Sequence, residues 1–238
     1  MNDPISTFKL FGLTFNIGNM VAVTVAAVFT FLLVFICSRK LQVIPSGKQN
    51  FLEMIVDFTN GIVKGSISGS EASAFGLYAF VLFLFIFISN QMGLLFQIDY
   101  SGVTYVKSPT ADPIVALTLA ALSLSLAHFL GVSKLGFKGY FVGSYFKPFK
   151  LLFPLNVFEE LANFLTLGLR LYGNIFAGEL LLGMVTKLAF SMGALSFIPS
   201  IFIAMIWDAF SIFIGSVQAF VFVTLTFVYI SQKLQPEE

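Results

Sequence analysis

LTLGLRLYGNIFAGELLL, residues 165–182, is apolar enough to lie inside a lipid bilayer, yet it carries Arg170 near its centre. A charge at the middle of a membrane helix costs roughly 2.5–3.5 kcal/mol on insertion scales, so a chain that keeps one there has a use for it. Glu159, Glu160 and Glu179 stand in the same long segment. Together with the arginine they point to a proton or ion pathway.

Working outward, the whole chain has the make-up of a lipid-embedded protein: 58% of its residues are hydrophobic and 11% charged, against about 25% charged in soluble domains. The net charge of +1 comes with no basic cluster beyond the lysines that flank apolar runs, which argues against a nucleic-acid surface. Cys37 is the only cysteine, so neither a disulfide framework nor a cysteine metal site is expected. The opening MNDPISTFKLFGLTFN lacks the basic, apolar and small-residue parts of a signal peptide, and none is expected there.

Five apolar segments follow, at residues 17–37, 72–97, 113–132, 155–189 and 197–231. A span needs about 20 residues; the last two, at about 52 Å each, overshoot a hydrocarbon core of about 30 Å and must tilt or break. Ser191, Gly193 and Ser196 form a short small-residue link between them, predicting a helical hairpin. Between the first two spans, residues 49–64 place Phe51, Ile55, Phe58 and Ile62 on one helical face and Glu53, Asp57, Asn60 and Lys64 on another, as in an interfacial amphipathic helix. The fold class expected is an all-α polytopic membrane protein, a single membrane domain with five embedded helices and one interfacial helix. Asp99, Tyr105, Lys107 and Asp112 read as a solvated outer loop.

Arg39, Lys40, Lys48, Lys64, Lys134, Lys138, Lys147, Lys150 and Lys233 fall in one set of compartments, against Lys9, Lys107 and Lys187 in the other. By the positive-inside rule the N-terminus is expected outside and the C-terminus in the cytoplasm.

On a single helix over 155–189, at 100° per residue, Glu159, Asn163, Thr166 and Asn174 fall within about 40° of the direction of Arg170. Glu159 lies about 16 Å from the arginine along the axis on the inner side, and Glu179 about 14 Å away on the outer side and the opposite face. A hairpin centred near Gly193 sets Gln218 level with Arg170, where its amide oxygen can meet the guanidinium, and Asp208 level with Glu179 as an outer acidic pair. Asn90 and Gln91 near the outer end of the second span, and His128 near the inner end of the third, are further candidates for lining a pathway. The plainer readings are a structural ion pair of Arg170 with Glu159 or Glu160, and a hydrogen-bonded interior or interfacial histidine at His128.

At these residues the chain resembles subunit a of the bacterial F-type ATP synthase, the stationary proton-channel subunit of its membrane sector. LGLRLYGNIFAGELL at 167–181 resembles the family's most distinctive segment, SVQAFVFVTLTFVYIS at 216–231 its C-terminal one, and SPTADP at 108–113 its outer loop. The resemblance implies that Arg170 faces a rotating ring of c subunits. It also implies that Asn174, Glu179 and Gln218 belong to the proton path, Glu179 in the outer half-channel, and that Glu159 and Glu160 match an inner acidic pair. Where some members carry a histidine this chain has Ser211, and Asp208, one turn earlier, is read as supplying the missing ionisable group.

The implied partners are the c-ring, the b-subunit peripheral stalk and the remainder of the ATP synthase complex, in a bacterial plasma membrane. No cofactor, metal or active site of its own is expected. The chain has no G-x-x-x-x-G-K-[ST] loop, which leaves nucleotide chemistry to other subunits. The alternative reading is a secondary transporter for a small anion with Arg170 as substrate clamp. It calls for an internal repeat or a Gly/Pro break flanking Arg170, and the sequence has neither.

Overall fold

The computed structural model describes residues 7–10, 13–39, 42–67, 70–95, 98–100, 103–106, 108–146, 150–190 and 194–234. Gln97, Lys40, Lys107, Lys147, Ser191 and Gly193, all used in the sequence reading, lie outside them. Among the described residues six helices carry the architecture: α1 (Ile17–Ser38), α2 (Lys48–Ser66), α3 (Gly76–Leu95), α4 (Pro113–Tyr145), α5 (Phe153–Ala189) and α6 (Ala194–Leu234). Two short antiparallel hairpins accompany them, β1 (Thr7–Leu10) with β2 (Leu13–Asn16) before α1, and β3 (Ile98–Tyr100) with β4 (Val103–Val106) between α3 and α4. The second hairpin occupies the stretch that the sequence reads as an outer loop.

Four stretches among the described residues are long and apolar enough to cross a bilayer: Ile17–Ser38, Ala72–Gly93, Pro113–Leu135 and Phe197–Leu234. The chain is an all-α membrane protein on that ground. Helix α5, with 37 residues and a length of about 55 Å, is long enough, but its charged and amide side chains keep it outside this apolar set.

Helix α4 differs from the expected third span. Its start follows from local chemistry: Pro113 occupies the first turn, where no amide donor is needed, and Asp112 Oδ1 accepts from Ile114 N at 2.8 Å. The expected end at Val132 is passed, and the helix runs to Leu135 before breaking at Gly136, whose φ of 72° and ψ of 156° suit glycine alone. It then resumes to Tyr145. The tail folds back, because the Tyr140 ring lies where a side chain on Gly131 would stand.

The core lies where α3, α4, α5 and α6 meet. Ala116, Ala120 and Ala127 line the buried face of α4, small side chains that let neighbouring helices approach closely. Gly168 of α5 does the same; a side chain there would overlap Leu117. Against these pack Ile86, Leu171, Ala219, Phe222, Val223, Phe227 and Ile230. Helix α1 is peripheral, touching α3 through Ala26 and leaving Val21, Val25, Val28 and Phe31 exposed as a lipid-facing side.

Helix α2 packs on the bundle through one side only. Its buried face is Leu52, Thr59, Ile62 and Val63, while Phe51, Met54 and Phe58 stay exposed beside the charged Asp57. The apolar residues therefore divide between a protein-facing side and a second, uncovered side.

Candidate functional site

The spacing of α5 sorts its residues into two faces. Leu167, Gly168, Leu171, Ile175 and Gly178 are buried against the bundle, whereas Glu159, Thr166, Arg170 and Asn174 are exposed and Asn163 is half-buried. The polar stripe therefore points away from the rest of the chain. Among the described residues Arg170 forms no hydrogen bond and no ion pair, so the structural pair with Glu159 or Glu160 is not present. An unpaired guanidinium on the outer face of a helix in this setting is costly unless something else meets it.

The antiparallel course of α5 and α6 is fixed by three contacts that run in opposite chain directions. Asn174 Nδ2 donates to Gln218 Oε1 at 2.9 Å, Trp207 Nε1 donates to Gly178 O at 3.0 Å, and Glu160 pairs with Lys233. Gln218 thus meets Asn174, one turn beyond Arg170, and the expected approach of its amide oxygen to the guanidinium is corrected. Counting residues to equal depth treats two long helices as parallel rods. Here Gln218 is buried on the α5-facing side while Arg170 turns outward.

The two acids expected on the outer side have different surroundings. Glu179 Oε1 accepts from the backbone N of Ser108 at 2.9 Å. Asp208 keeps Oδ1 buried with no hydrogen-bond partner, and no hydrogen bond links it to Glu179 Oε1. Three α6 groups have buried polar atoms without partners, Asp208 Oδ1, Ser211 Oγ and Gln218 Nε2. They lie within about 80° of one another around the helix. Buried groups of this kind ordinarily find water or another polar partner. Ser211 and Asn174 also line a cleft of ≈ 200 Å³ between α5 and α6, together with Ile175, Gly178, Trp207 and Phe210.

Asn90 and Gln91 are interior groups. Asn90 is fully buried, giving Nδ2 to Gly215 O at 2.9 Å and receiving Thr110 Oγ1 on Oδ1 at 2.7 Å. Gln91 Nε2 donates to Ile212 O at 3.2 Å and reaches Ser216 Oγ at 3.3 Å. Both tie α3 to α6 behind the cleft.

At the inner end, consecutive residues on a helix point about 100° apart, and the structure separates the two glutamates accordingly. Glu159 is exposed on the stripe, while Glu160 turns inward to an ion pair with Lys233 and lies 3.6 Å from His128 Nε2. His128 Nδ1 meets the Tyr140 hydroxyl. Burial pushes that hydroxyl up to about 12, so it stays protonated and donates. His128 is thus a hydrogen-bonded histidine beside Glu160.

The model of the family described as ATP synthase A chain matches residues 20–231. The chain belongs to that family. Similar proteins include the ATP synthase subunit a of Pediococcus pentosaceus, 56% identical over 235 residues and 99% of each chain, and that of Limosilactobacillus fermentum, 54% identical over 237 residues and 100% of each. The subunit a of Limosilactobacillus reuteri is 52% identical over 234 residues, covering 98% of this chain and 99% of its own. Membership makes this a non-catalytic, proton-translocating membrane subunit of an ATP synthase, a multi-pass protein of the bacterial plasma membrane. The anion-transporter reading falls with it.

Several residues without a local sequence signal join the family's polar segment in the fold. Gly93, Ser108 and Thr110 adjoin Glu179 or its support, and Trp207 closes the cleft wall. Lys233 counts in the sequence only as an orientation charge, yet its pairing distinguishes Glu160 from Glu159. The single tryptophan of a phenylalanine-rich chain was the one available signal for the outer wall.

Proposed function

We propose that the exposed stripe of α5 faces the ring of c subunits and that Arg170 separates two offset half-channels serving that ring. The observation that carries this reading is Arg170 itself: exposed, without a hydrogen bond or ion pair among the described residues, and flanked by Thr166 and Asn174 on the uncovered face of a helix whose other face is buried. A ring carboxylate passing the stator in its ionised form needs a fixed cation opposite it. Arginine keeps its charge at every working pH and offers planar donors suited to a carboxylate. It cannot relay protons, so protons cross only by riding the ring, and each gains about 2.3 kcal/mol per 100 mV.

In this reading Glu179, Asn174, Gln218, Asp208 and Ser211 belong to the outer half-channel, with the cleft between α5 and α6 as its wall. Glu159 serves the inner half-channel with Asn163 and Thr166 beside it. Glu160, paired with Lys233, has a structural part there. Helices α5 and α6 are the fourth and fifth embedded elements, tilted to fit their length, with the N-terminus outside and the C-terminus in the cytoplasm. The b-subunit stalk holds the chain against rotation.

Arg170→Ala in the assembled ATP synthase tests the reading. Coupled ATP synthesis in inverted vesicles is lost, and Lys at this position does not restore it, since an ammonium lacks the planar fork and loses its proton more readily when desolvated. Near-normal synthesis by Arg170→Ala contradicts the proposal.

A further inference from the structure

Helix α3 and the turn before α4 reach the Glu179 carboxylate, and α6 braces them from behind. Helix α3 brings Asn90 and, one turn on, Gly93; the turn before α4 brings Ser108 and Thr110; α6 brings the Gly215 carbonyl. Asn90, Ser108 and Thr110 are all fully buried. The Asn90 side chain spends both ends on fixing this assembly, donating to Gly215 O at 2.9 Å and accepting from Thr110 Oγ1 at 2.7 Å, while its backbone O accepts from Ser108 Oγ at 3.3 Å. Ser108, so held, donates its backbone N–H to Glu179 Oε1 at 2.9 Å.

Gly93 supplies the room. A methyl group there would overlap Glu179 Oε1 and both the N and Oγ of Ser108. Its backbone is ordinary helix, so no unusual φ calls for glycine; the close approach of the carboxylate does. The far side of the assembly is equally tight, because a side chain on Gly215 would press on Gln91 Nε2 and Asn90 Cβ at 3.2 and 3.4 Å.

We propose that Gly93 and Asn90 are positioning residues for the outer acid: the bare α3 backbone at Gly93 and the Ser108–Thr110 turn anchored on Asn90 form a socket that holds the Glu179 carboxylate in one orientation for proton transfer. Proton transfer depends on donor–acceptor distance, and a displacement of about 1 Å can cost on the order of a hundredfold in rate. A carboxylate on a flexible side chain meets that demand only when a rigid shell fixes it. The inference rests on the reading of Glu179 as the outer proton-carrying group, and the test separates the two.

The experiment measures ATP-driven proton pumping and coupled synthesis by the whole ATP synthase in inverted vesicles, with the amount of assembled complex quantified for each variant. Gly93→Ala lowers flux about tenfold at normal assembly, because the methyl group displaces the carboxylate. The assembled Gly93→Ala complex also shows a displaced pH profile of flux, which a loss of packing that leaves the carboxylate in place does not give. Wild-type flux in Gly93→Ala, or a pH profile superimposable on wild type, overturns the socket. Should Gly93→Ala fail to assemble, Thr110→Val removes the hydroxyl bonded to Asn90 at nearly constant volume. The assembled Thr110→Val complex then shows a displaced pH profile of flux, and a profile superimposable on wild type overturns the proposal. Glu179→Gln supplies the separation: full flux in that variant sinks the role of Glu179 and the socket with it, whereas an inactive Glu179→Gln beside a normal Gly93→Ala sinks the socket alone.

Discussion

Both ends of α5 carry carboxylates, and the chain treats them in opposite ways. At the outer end Glu179 is set among α3, the Ser108 turn and α6, with a backbone N–H on one oxygen and a glycine making space beside it. At the inner end two adjacent glutamates share the work by pointing apart, Glu160 held by Lys233 and Glu159 left exposed on the same face as Arg170. The difference suggests two kinds of access. On the proposed function, a proton on the Glu179 side reaches the ring through a shaped interior path, while Glu159 stands on the surface proposed to meet the ring.

If the two ends differ in this way, single substitutions separate them by size of effect. Glu179→Gln removes the carboxylate of the proposed socket, and proton flux falls about a hundredfold or more, in the range seen when a positioned proton-transfer group is lost. Glu159→Gln falls less, about tenfold, because an exposed inner acid is partly replaced by water. Glu160→Gln leaves flux close to wild type. Equal losses for Glu159→Gln and Glu160→Gln in the same vesicle assay would erase the distinction between them.

The inner ion pair gives the next effect, on stability instead of flux. Lys233→Met leaves Glu160 facing the bundle without its cation, and the thermal unfolding of detergent-solubilised complex reports a loss of about 1–3 kcal/mol, between the values for exposed and buried pairs. Replacing both residues with methionine recovers most of it, because no charge is then left unpaired. A double variant as unstable as the single one contradicts the pairing.

The smallest effect belongs to Tyr140. Burial raises its hydroxyl from the ordinary 10.0 to about 12, so its contribution to stability is complete below pH 10 and is lost as pH rises through 12. The ultraviolet difference titration between the native protein and Tyr140→Phe shows a phenol ionising near pH 12. A phenol ionising near 10 in that difference would mean that the folded-back tail of α4 does not bury it against Gly131.

Much of the outer–inner contrast was within reach of the sequence, and the reasons for what was not are specific. The helical period alone gathers Glu159, Thr166, Arg170 and Asn174 on one face, because periodicity is a property of a single helix. That same period sets Glu160 apart from Glu159, yet the resemblance to an inner acidic pair grouped them. Which of the two is paired depended on Lys233, 73 residues away. The Ser108–Glu179 contact spans 71 residues and joins a turn to a helix, which no local pattern encodes. The residue count between α5 and α6 sets Gln218 one turn from its observed partner Asn174, because a long side chain reaches along the helix. Gly136 is one of four glycines in α4, with Gly131, Gly139 and Gly143, and nothing local singles it out. A glycine there is compatible with an unbroken helix, an end or a kink, and the packing of Tyr140 against Gly131 decides among them.

The central claim is that the uncovered polar face of α5 is the face that meets the ring, and cysteine cross-linking across that boundary tests it most directly. In whole complexes with Cys37 replaced, single cysteines are placed at Thr166 and Asn174, one turn to either side of Arg170, and at Leu167 and Leu171 on the buried face. Each is paired with cysteines introduced along the outer helix of the ring subunit and oxidised in the membrane. Disulfides between this chain and the ring from Thr166 and Asn174, and none from Leu167 or Leu171, are the predicted result. Cross-links confined to the buried-face positions, or absent from Thr166 and Asn174 in active complexes, would contradict it.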